Sequence, residues 1–162
     1  MNNEFDIVNA RILIVDDQPV NVQLLEQLLA ATGYPQITST LNPQTVCALH
    51  EEHNYDLILL DLKMPVMDGF QVMEGLKKNT TDRYLPVIVL TAEPGHKLRA
   101  LQAGAKDFIS KPFDLVEVKT RIYNMVEVRL LYRKLENYSK LLELATQQVT
   151  AEMSDVKAVN PA

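Results

Sequence analysis

The chain has 162 residues, of which 47% are apolar, and a formal net charge of −5. This length fits one domain with an appendage, and the apolar fraction is sufficient for a hydrophobic core. The acidic balance, without any cluster of Lys or Arg, argues against direct binding to nucleic acid or to a membrane. The single cysteine, Cys47, excludes an internal disulfide, and no apolar run approaches the roughly 20 residues of a membrane span. We therefore expect a soluble, cytoplasmic protein.

Short apolar runs alternate with helical patterns from residue 10 onward, after a polar and acidic segment that predicts an N-terminal tail over residues 1–9. The strand candidates are Arg11–Val15, Gln36–Thr40, Asp56–Leu60, Pro86–Leu90 and Lys106–Ser110. The helix candidates are Pro19–Ala31, Pro43–His53, Gly69–Lys78, His96–Ala103 and a long stretch from Asp114 to Met153. This alternation predicts a doubly wound α/β fold with a five-stranded parallel sheet. Runs that are apolar on consecutive residues are typical of strands covered on both faces, and the more polar second run is typical of an edge.

The last helical stretch is longer than the domain needs, because no Pro or Gly occurs between Asp114 and Pro161. Its apolar positions recur at alternating spacings of three and four: Val128, Leu131, Leu135, Tyr138, Leu142, Ala145 and Val149. This heptad seam is typical of a coiled coil. We predict a globular domain over 10–127, a coiled-coil helix over 128–153 that forms a parallel homodimer, and a disordered tail over 154–162.

Polar side chains follow four of the strand candidates at the point where each ends. Asp16 and Asp17 follow the first strand, Asp61 the third, Thr91 the fourth and Lys111 the fifth. The carboxyl ends of parallel strands meet at one edge of a sheet, so we expect these groups to converge. Clustered carboxylates without His or Cys favour a hard cation, Mg²⁺ or Mn²⁺. A carboxylate can attack phosphorus, and a metal with a lysine offsets the charge of a phosphoryl group.

This pattern resembles the receiver domain of two-component response regulators over residues 10 to 127. The family's motifs match Asp16 and Asp17 in ILIVDDQPVN, the phosphoacceptor Asp61 in LILLDLKMPVMDGF, the switch hydroxyl Thr91 in VIVLTA, and Lys111 in DFISKPF. The resemblance implies a flavodoxin-like sheet of order 2-1-3-4-5 and phosphoryl transfer to Asp61 from a sensor histidine kinase or phosphotransfer protein. It also implies a Mg²⁺ ion bound directly by Asp17, Asp61 and the backbone carbonyl of Lys63, and by Asp16 largely through water.

The aromatic switch position of the family, three residues before the lysine, is often Tyr and is Phe108 in this chain. A Phe can rotate inward when Thr91 is drawn to the phosphate, but it offers no hydroxyl to the output surface. That surface is expected on the fourth predicted helix, the fifth strand and the fifth helix. The resemblance implies a signalling domain that catalyses only its own phosphorylation and dephosphorylation.

Two other functional classes remain open. An aspartyl-phosphate phosphatase of the haloacid dehalogenase type requires Asp-x-Asp after the first strand, whereas this chain has Asp16-Asp17-Gln18 there. A dimerisation or adaptor module with secondary phosphorylation fits the heptad seam. The segment 128–144 also resembles linkers that join receivers to domains that make or degrade cyclic-di-GMP, which predicts an output of that kind. Taken singly, an Asp after a strand can be a helix cap and a Lys can be a solvated surface residue, so the interpretation depends on all four strand ends together.

Overall fold

A computed structural model describes residues 4–79 and 84–159. The chain divides into two compact units, Met1–Leu130 and Leu131–Ala162. The strands are β1 (Ile12–Val15), β2 (Ile37–Thr40), β3 (Leu57–Asp61), β4 (Val87–Thr91) and β5 (Asp107–Ser110). The α-helices are α1 (Glu4–Val8), α2 (Pro19–Thr32), α3 (Val46–His53), α4 (Gly69–Asn79), α5 (Lys97–Gln102) and α6 (Leu115–Val159). Short 3₁₀ turns, Pro43–Thr45 and Pro94–His96, lead into α3 and α5.

The strands form one parallel sheet in the order β2-β1-β3-β4-β5, which confirms the predicted fold. In the register, Ile12 of β1 lies opposite Leu57 of β3, and Ile58 of β3 lies opposite Val87 of β4. The chain winds outward from β1 to β2 on one side and from β3 to β5 on the other. The carboxyl ends of β1 and β3 therefore flank the crevice where this class of sheet places its site.

The strands are apolar on consecutive residues because both faces of the sheet are covered. Successive side chains point to opposite faces, so β1, β3 and β4 each contribute to two core clusters. On one face, Leu25 of α2 and Ile122 of α6 belong to the cluster that contains Leu59. On the other, Val72 of α4 and Ala100 of α5 belong to the cluster with neighbouring strand residues. All five residues of β3 and of β4 are buried, whereas β2 is half-buried at its edge, as predicted.

Sequence signals at the ends of α2 explain its limits. Pro19 is its first residue, where the missing backbone N–H leaves no hydrogen bond unmade. Gly33 follows its last turn with a φ of 105°, a left-handed conformation that costs little without a Cβ. The Gly33 N–H donates to the carbonyls of Leu29 and Ala30, both at 3.1 Å. The helix thus ends where the sequence predicts.

Two chain segments differ from the prediction. Residues 4–8, expected in a tail, form α1, because Ile7 is fully buried in the core cluster and packing stabilises this short helix. The long helix continues to Val159 instead of ending at Met153, since no helix breaker precedes Pro161. Residues 160–162 of the predicted disordered tail lie outside the described residues.

The second unit is, over its described residues, the continuation of α6. Its apolar seam side chains are exposed, with fractions of 64% for Leu135, 67% for Tyr138 and 69% for Leu142. Within residues 4–79 and 84–159, no helix combines the length and the apolar character needed to cross a membrane.

Candidate functional site

The polar residues at the strand ends meet at the carboxyl edge of the sheet. Asp61 is the last residue of β3 and Thr91 the last of β4, while Asp16 and Lys111 directly follow β1 and β5. The Lys111 Nζ lies 3.2 Å from Asp16 Oδ2 and 3.1 Å from Asp61 Oδ1. The lysine therefore joins the outer end of the sheet to its centre across the crevice.

Three carboxylates form a compact acidic cluster there. Asp16, Asp17 and Asp61 each place one oxygen within 4.8 Å of the others. Asp16 is fully buried, and its Oδ1 and Oδ2 accept hydrogen bonds from the Gln18 backbone N–H at 2.9 Å and from the Asn21 amide at 3.1 Å. The buried Oδ1 of Asp17 has no hydrogen-bond partner among the described residues. Crowded carboxylates with an unsatisfied oxygen fit a hard divalent cation.

The glycine of the Asp68-Gly69 motif is explained by packing behind the Asp61 peptide. A Cβ at residue 69 would lie 2.6 Å from the Asp61 carbonyl oxygen and 2.9 Å from the Leu62 Cα. Both contacts are to backbone, so no side-chain movement relieves them. Asp68 begins α4 by accepting a hydrogen bond from the Gln71 backbone N–H at 2.9 Å, a cap that sets the start of the helix. The motif thus fixes the loop that follows Asp61.

The surroundings of Asp61 disfavour its charged form. Burial, followed by the neighbouring charge of Asp16, raises the pKa of the Asp61 carboxyl to about 6, although the Lys111 ammonium opposes the change. The folded protein therefore binds a proton at Asp61 more tightly than the unfolded chain does. The fold therefore holds the Asp61 carboxylate where its negative charge is unfavourable. A bound cation would offset this unfavourable electrostatic energy.

We expect Asp61→Asn to stabilise the protein at pH 7 in the presence of EDTA. Below about pH 4 the Asp61 carboxyl is neutral in both the folded and the unfolded chain. The stability that this carboxyl contributes to the folded chain is lost as the pH rises through about 6. The variant should gain about 1 to 3 kcal/mol in unfolding free energy at pH 7, the lower figure allowing for water at the mouth of the site. Urea unfolding at pH 4 and pH 7 measures this. An equal difference at both pH values would contradict the assigned cause.

Thr91 and Lys63 are both engaged with Glu93 at the mouth of the site. The buried Thr91 hydroxyl accepts a hydrogen bond from the Glu93 backbone N–H at 3.0 Å and donates to the Glu93 carbonyl at 3.3 Å. The Lys63 ammonium forms an ion pair with the Glu93 carboxylate, and the His96 Nε2 lies 3.2 Å from the same carboxylate. The Lys63 pair, then the His96 charge, lower the pKa of the Glu93 carboxyl. Because of its two hydrogen bonds with the Glu93 backbone, the Thr91 hydroxyl is turned toward its own loop.

Phe108, at the predicted switch position, is half-buried in β5 between two cations. The Lys97 Nζ lies 4.5 Å and the Arg121 Cζ 5.7 Å from the centroid of its ring. Both distances lie within the range of cation–π attraction. The Arg121 guanidinium is fixed in turn by both carboxylate oxygens of Asp107 at 2.9 Å. The ring is thus held by charges on α5 and α6.

Sequence reasoning missed two side chains at the site. Gln18 and Asn21, at the start of α2, line a cleft of about 330 Å³ that also contains Asp61 and Lys111. Their signal was weak, because a polar residue in the first turn of a helix is ordinary. Asn21 follows the Asp16-Asp17 pair by about one turn of helix, and this spacing is the signal that indicates a partner of Asp16.

Comparison with known proteins agrees with this geometry. The family model of the response regulator receiver domain matches residues 12–123. Response regulator PleD of Caulobacter vibrioides is 38% identical over 130 residues, which cover 79% of this chain and 28% of that protein. A probable cyclic di-GMP phosphodiesterase of Vibrio cholerae is 29% identical over 150 residues, 91% of this chain and 34% of that protein. The chain therefore spans about a third or less of the length of these relatives.

Solved receiver domains and response regulators share the fold of this chain. The receiver domain of a sensor histidine kinase from Pseudomonas aeruginosa aligns with a TM-score of 0.67 and 31% identity, over 74% of this chain and 98% of that one. That structure holds a magnesium ion coordinated in its active site cleft. A chemotaxis response regulator of Vibrio cholerae aligns with a TM-score of 0.64 and 27% identity, over 70% and 98% of the two chains. Fold, acidic edge and family match agree, and the chain belongs to the response regulator receiver domains of two-component signal transduction.

Proposed function

We propose that this chain accepts a phosphoryl group on Asp61 from the phosphohistidine of a sensor histidine kinase or phosphotransfer protein. The observation that carries the proposal is the position of the Asp61 carboxylate, at the end of β3 beside two other carboxylates and the Lys111 ammonium. An Asp61 oxygen attacks phosphorus and forms an O–P bond while the N–P bond of the donor breaks. The electron pair of that bond returns to the imidazole nitrogen. The chain performs only this transfer and the later hydrolysis of the aspartyl phosphate.

The acidic cluster is proposed to bind Mg²⁺ or Mn²⁺. Asp17 and Asp61 would each supply a direct carboxylate ligand, and the backbone carbonyl of Lys63 would be a third protein ligand. Both oxygens of Asp16 already accept hydrogen bonds from the start of α2, which supports a contact through water for that residue. A cation bound there neutralises charge on the phosphoryl oxygens. Receiver domains in general bind Mg²⁺ through an acidic cluster.

Thr91, Lys111 and Phe108 are proposed to respond to the phosphoryl group. The Lys111 ammonium exchanges a carboxylate for a phosphoryl oxygen, a charge-assisted contact of the kind it already makes. The Thr91 hydroxyl leaves the Glu93 carbonyl to donate to another phosphoryl oxygen. The space it vacates admits the Phe108 ring, which changes the surface formed by α5, β5 and the start of α6.

The exposed seam of α6 is proposed to form a parallel homodimer. The apolar positions Leu135, Leu142 and Val149 repeat every seven residues, and all are more than half exposed. A helix with such a stripe gains stability by burying it against a second copy. This is also the observation that favours a dimerisation or adaptor role, which can coexist with phosphorylation. Measuring oligomeric state with and without beryllofluoride separates an always-paired adaptor from a phosphate-dependent dimer.

The output is proposed to concern cyclic-di-GMP in the cytoplasm. The Vibrio cholerae relative carries that nucleotide in its name, and the match to it extends into the α6 region. The receiver would act on a catalytic domain of a longer protein or on a separate partner.

The proposed function is tested by labelling with radioactive acetyl phosphate. We expect incorporation that requires Mg²⁺ and falls at least about tenfold with excess EDTA, because the carboxylates and the incoming phosphoryl group repel one another. The product should release phosphate under mild alkali, as an acyl phosphate does. Labelling that persists in EDTA would contradict the requirement for a divalent cation, and labelling that survives alkali would exclude an aspartyl phosphate.

A further inference from the structure

A buried ion pair lies at the amino edge of the sheet, opposite the acidic cluster. Asp56 directly precedes β3, and Arg129 belongs to α6. Their side chains are 4% and 3% exposed, and Arg129 Nε lies 3.6 Å from Asp56 Oδ1. Charged groups at this depth are costly unless they are paired and hydrogen-bonded. Replacing a buried ion pair by apolar residues is often neutral or stabilising, so stability alone does not explain these charges.

The pair joins α6 to the entrances of three strands. The Arg129 guanidinium donates to the backbone carbonyl of Tyr84, before β4, and to that of Tyr55, before β3, at 3.4 Å. Asp56 Oδ2 accepts a hydrogen bond from the Arg11 backbone N–H, before β1, at 2.9 Å. These are the three central strands of the sheet, and all three end at the candidate site. One side chain of α6 therefore contacts the starting points of the strands that carry Asp61 and Thr91.

The strand between Asp56 and Asp61 is short and firmly held. β3 has five residues, about 16 Å of extended chain, all buried and bonded on both sides by β1 and β4. A shift at its carboxyl end therefore reaches its amino end with little loss. The distance of 3.6 Å between Arg129 Nε and Asp56 Oδ1 exceeds the about 2.7–2.9 Å of a good charge-assisted hydrogen bond. A movement of less than about 1 Å at the start of β3 would bring these two atoms within hydrogen-bond distance.

We propose that Arg129 is a positioning residue that couples the state of the Asp61 site to α6 through β3 and Asp56. The inference rests on the proposed phosphorylation of Asp61, and it adds a route distinct from Thr91 and Phe108. In this route the amino edge of the sheet, rather than the α5–β5 surface, sets how α6 is held. Phosphorylation of Asp61 shifts β3, and the shift moves the Asp56 carboxylate. The Arg129 guanidinium moves with that carboxylate.

The test compares hydrogen exchange of the backbone amides of residues 122–130 in Mg²⁺ alone and in Mg²⁺ with beryllofluoride. We expect beryllofluoride to change exchange at these amides by about fivefold or more in the full chain, in line with ordinary allosteric coupling. Arg129→Gln combined with Asp56→Asn, which leaves no unpaired charge, should remove that change. The matched control, Lys140→Gln, removes a charge from an exposed position of the same helix and should keep it.

Binding of beryllofluoride is measured separately, as the rise in thermal midpoint it causes with Mg²⁺. A variant that binds beryllofluoride and still changes exchange like the native chain would overturn the role of Arg129. So would a native chain that binds it without any change at residues 122–130. A native chain that does not bind beryllofluoride at all would instead count against the proposed function itself.

Discussion

Replacing Asp61 by Asn is expected to reduce labelling by acetyl phosphate more than about 100-fold, to background, because the variant lacks the nucleophilic oxygen. The Asn side chain has nearly the same shape, and the fold should remain intact. Its stability at pH 7 in EDTA should rise, since the unfavourable charge is gone. Loss of labelling in a stabilised protein would separate loss of chemistry from loss of structure. Phosphate release and mass measurement of the intact chain give the readout.

The matched control for this experiment is Asp68→Asn. Asp68 lies in the same loop, but its carboxylate caps α4 by accepting the Gln71 backbone N–H. Asn caps a helix about as well as Asp, so labelling should stay within about twofold of the native chain. Undiminished labelling of Asp61→Asn would place the phosphoryl group on another residue and refute the proposed function.

The double variant Leu135→Asp with Leu142→Asp is expected to be a monomer that still accepts the phosphoryl group. Each dimer would bury four carboxylates in its seam, and an unpaired buried charge costs about 3 to 5 kcal/mol. The dissociation constant should therefore rise by more than about 1,000-fold. Sedimentation velocity across a concentration series measures the change. Labelling should persist because the acidic cluster lies within the first unit.

The control places the same two charges elsewhere on the same helix. Asn137→Asp with Leu144→Asp has the same spacing of seven residues, at positions that point away from the partner of a two-stranded coiled coil. The native oligomeric state should survive this pair. A dimer that resists the seam charges, or one that the control disrupts equally, would show that the interface lies elsewhere.

The sheet and its acidic edge could be predicted because their signals are local. Each buried strand is a run of consecutive apolar residues, and each functional group directly follows such a run. Once the strands are taken as parallel, Asp61 and Thr91 must lie at the same edge. The order of the strands came from family resemblance, since apolar runs alone do not distinguish one doubly wound order from another.

The amino edge could not be predicted, because its contacts join residues that are distant in sequence. Asp56 is the first residue of a predicted strand, and Arg129 occupies a polar position in the heptad pattern. His50 of α3 is 3% exposed, and its Nδ1 accepts a hydrogen bond from the Tyr55 backbone N–H at 3.1 Å. Nothing in the eight residues of α3 indicates that one polar position faces inward. Burial of such groups depends on tertiary partners rather than on local pattern.

The short helix α1 shows that the folded core extends beyond the residues that the family model matches. The family match begins at residue 12, whereas Ile7 is wholly enclosed in the same core cluster as Leu29 and Tyr34. A chain shortened to the residues that the family model matches would lose Ile7 and expose the apolar surface that Ile7 covers. The loss of this isoleucine alone would lower the free energy of unfolding by about 1.5 to 3 kcal/mol. Cloning and domain grafting with this receiver should therefore start upstream of Glu4.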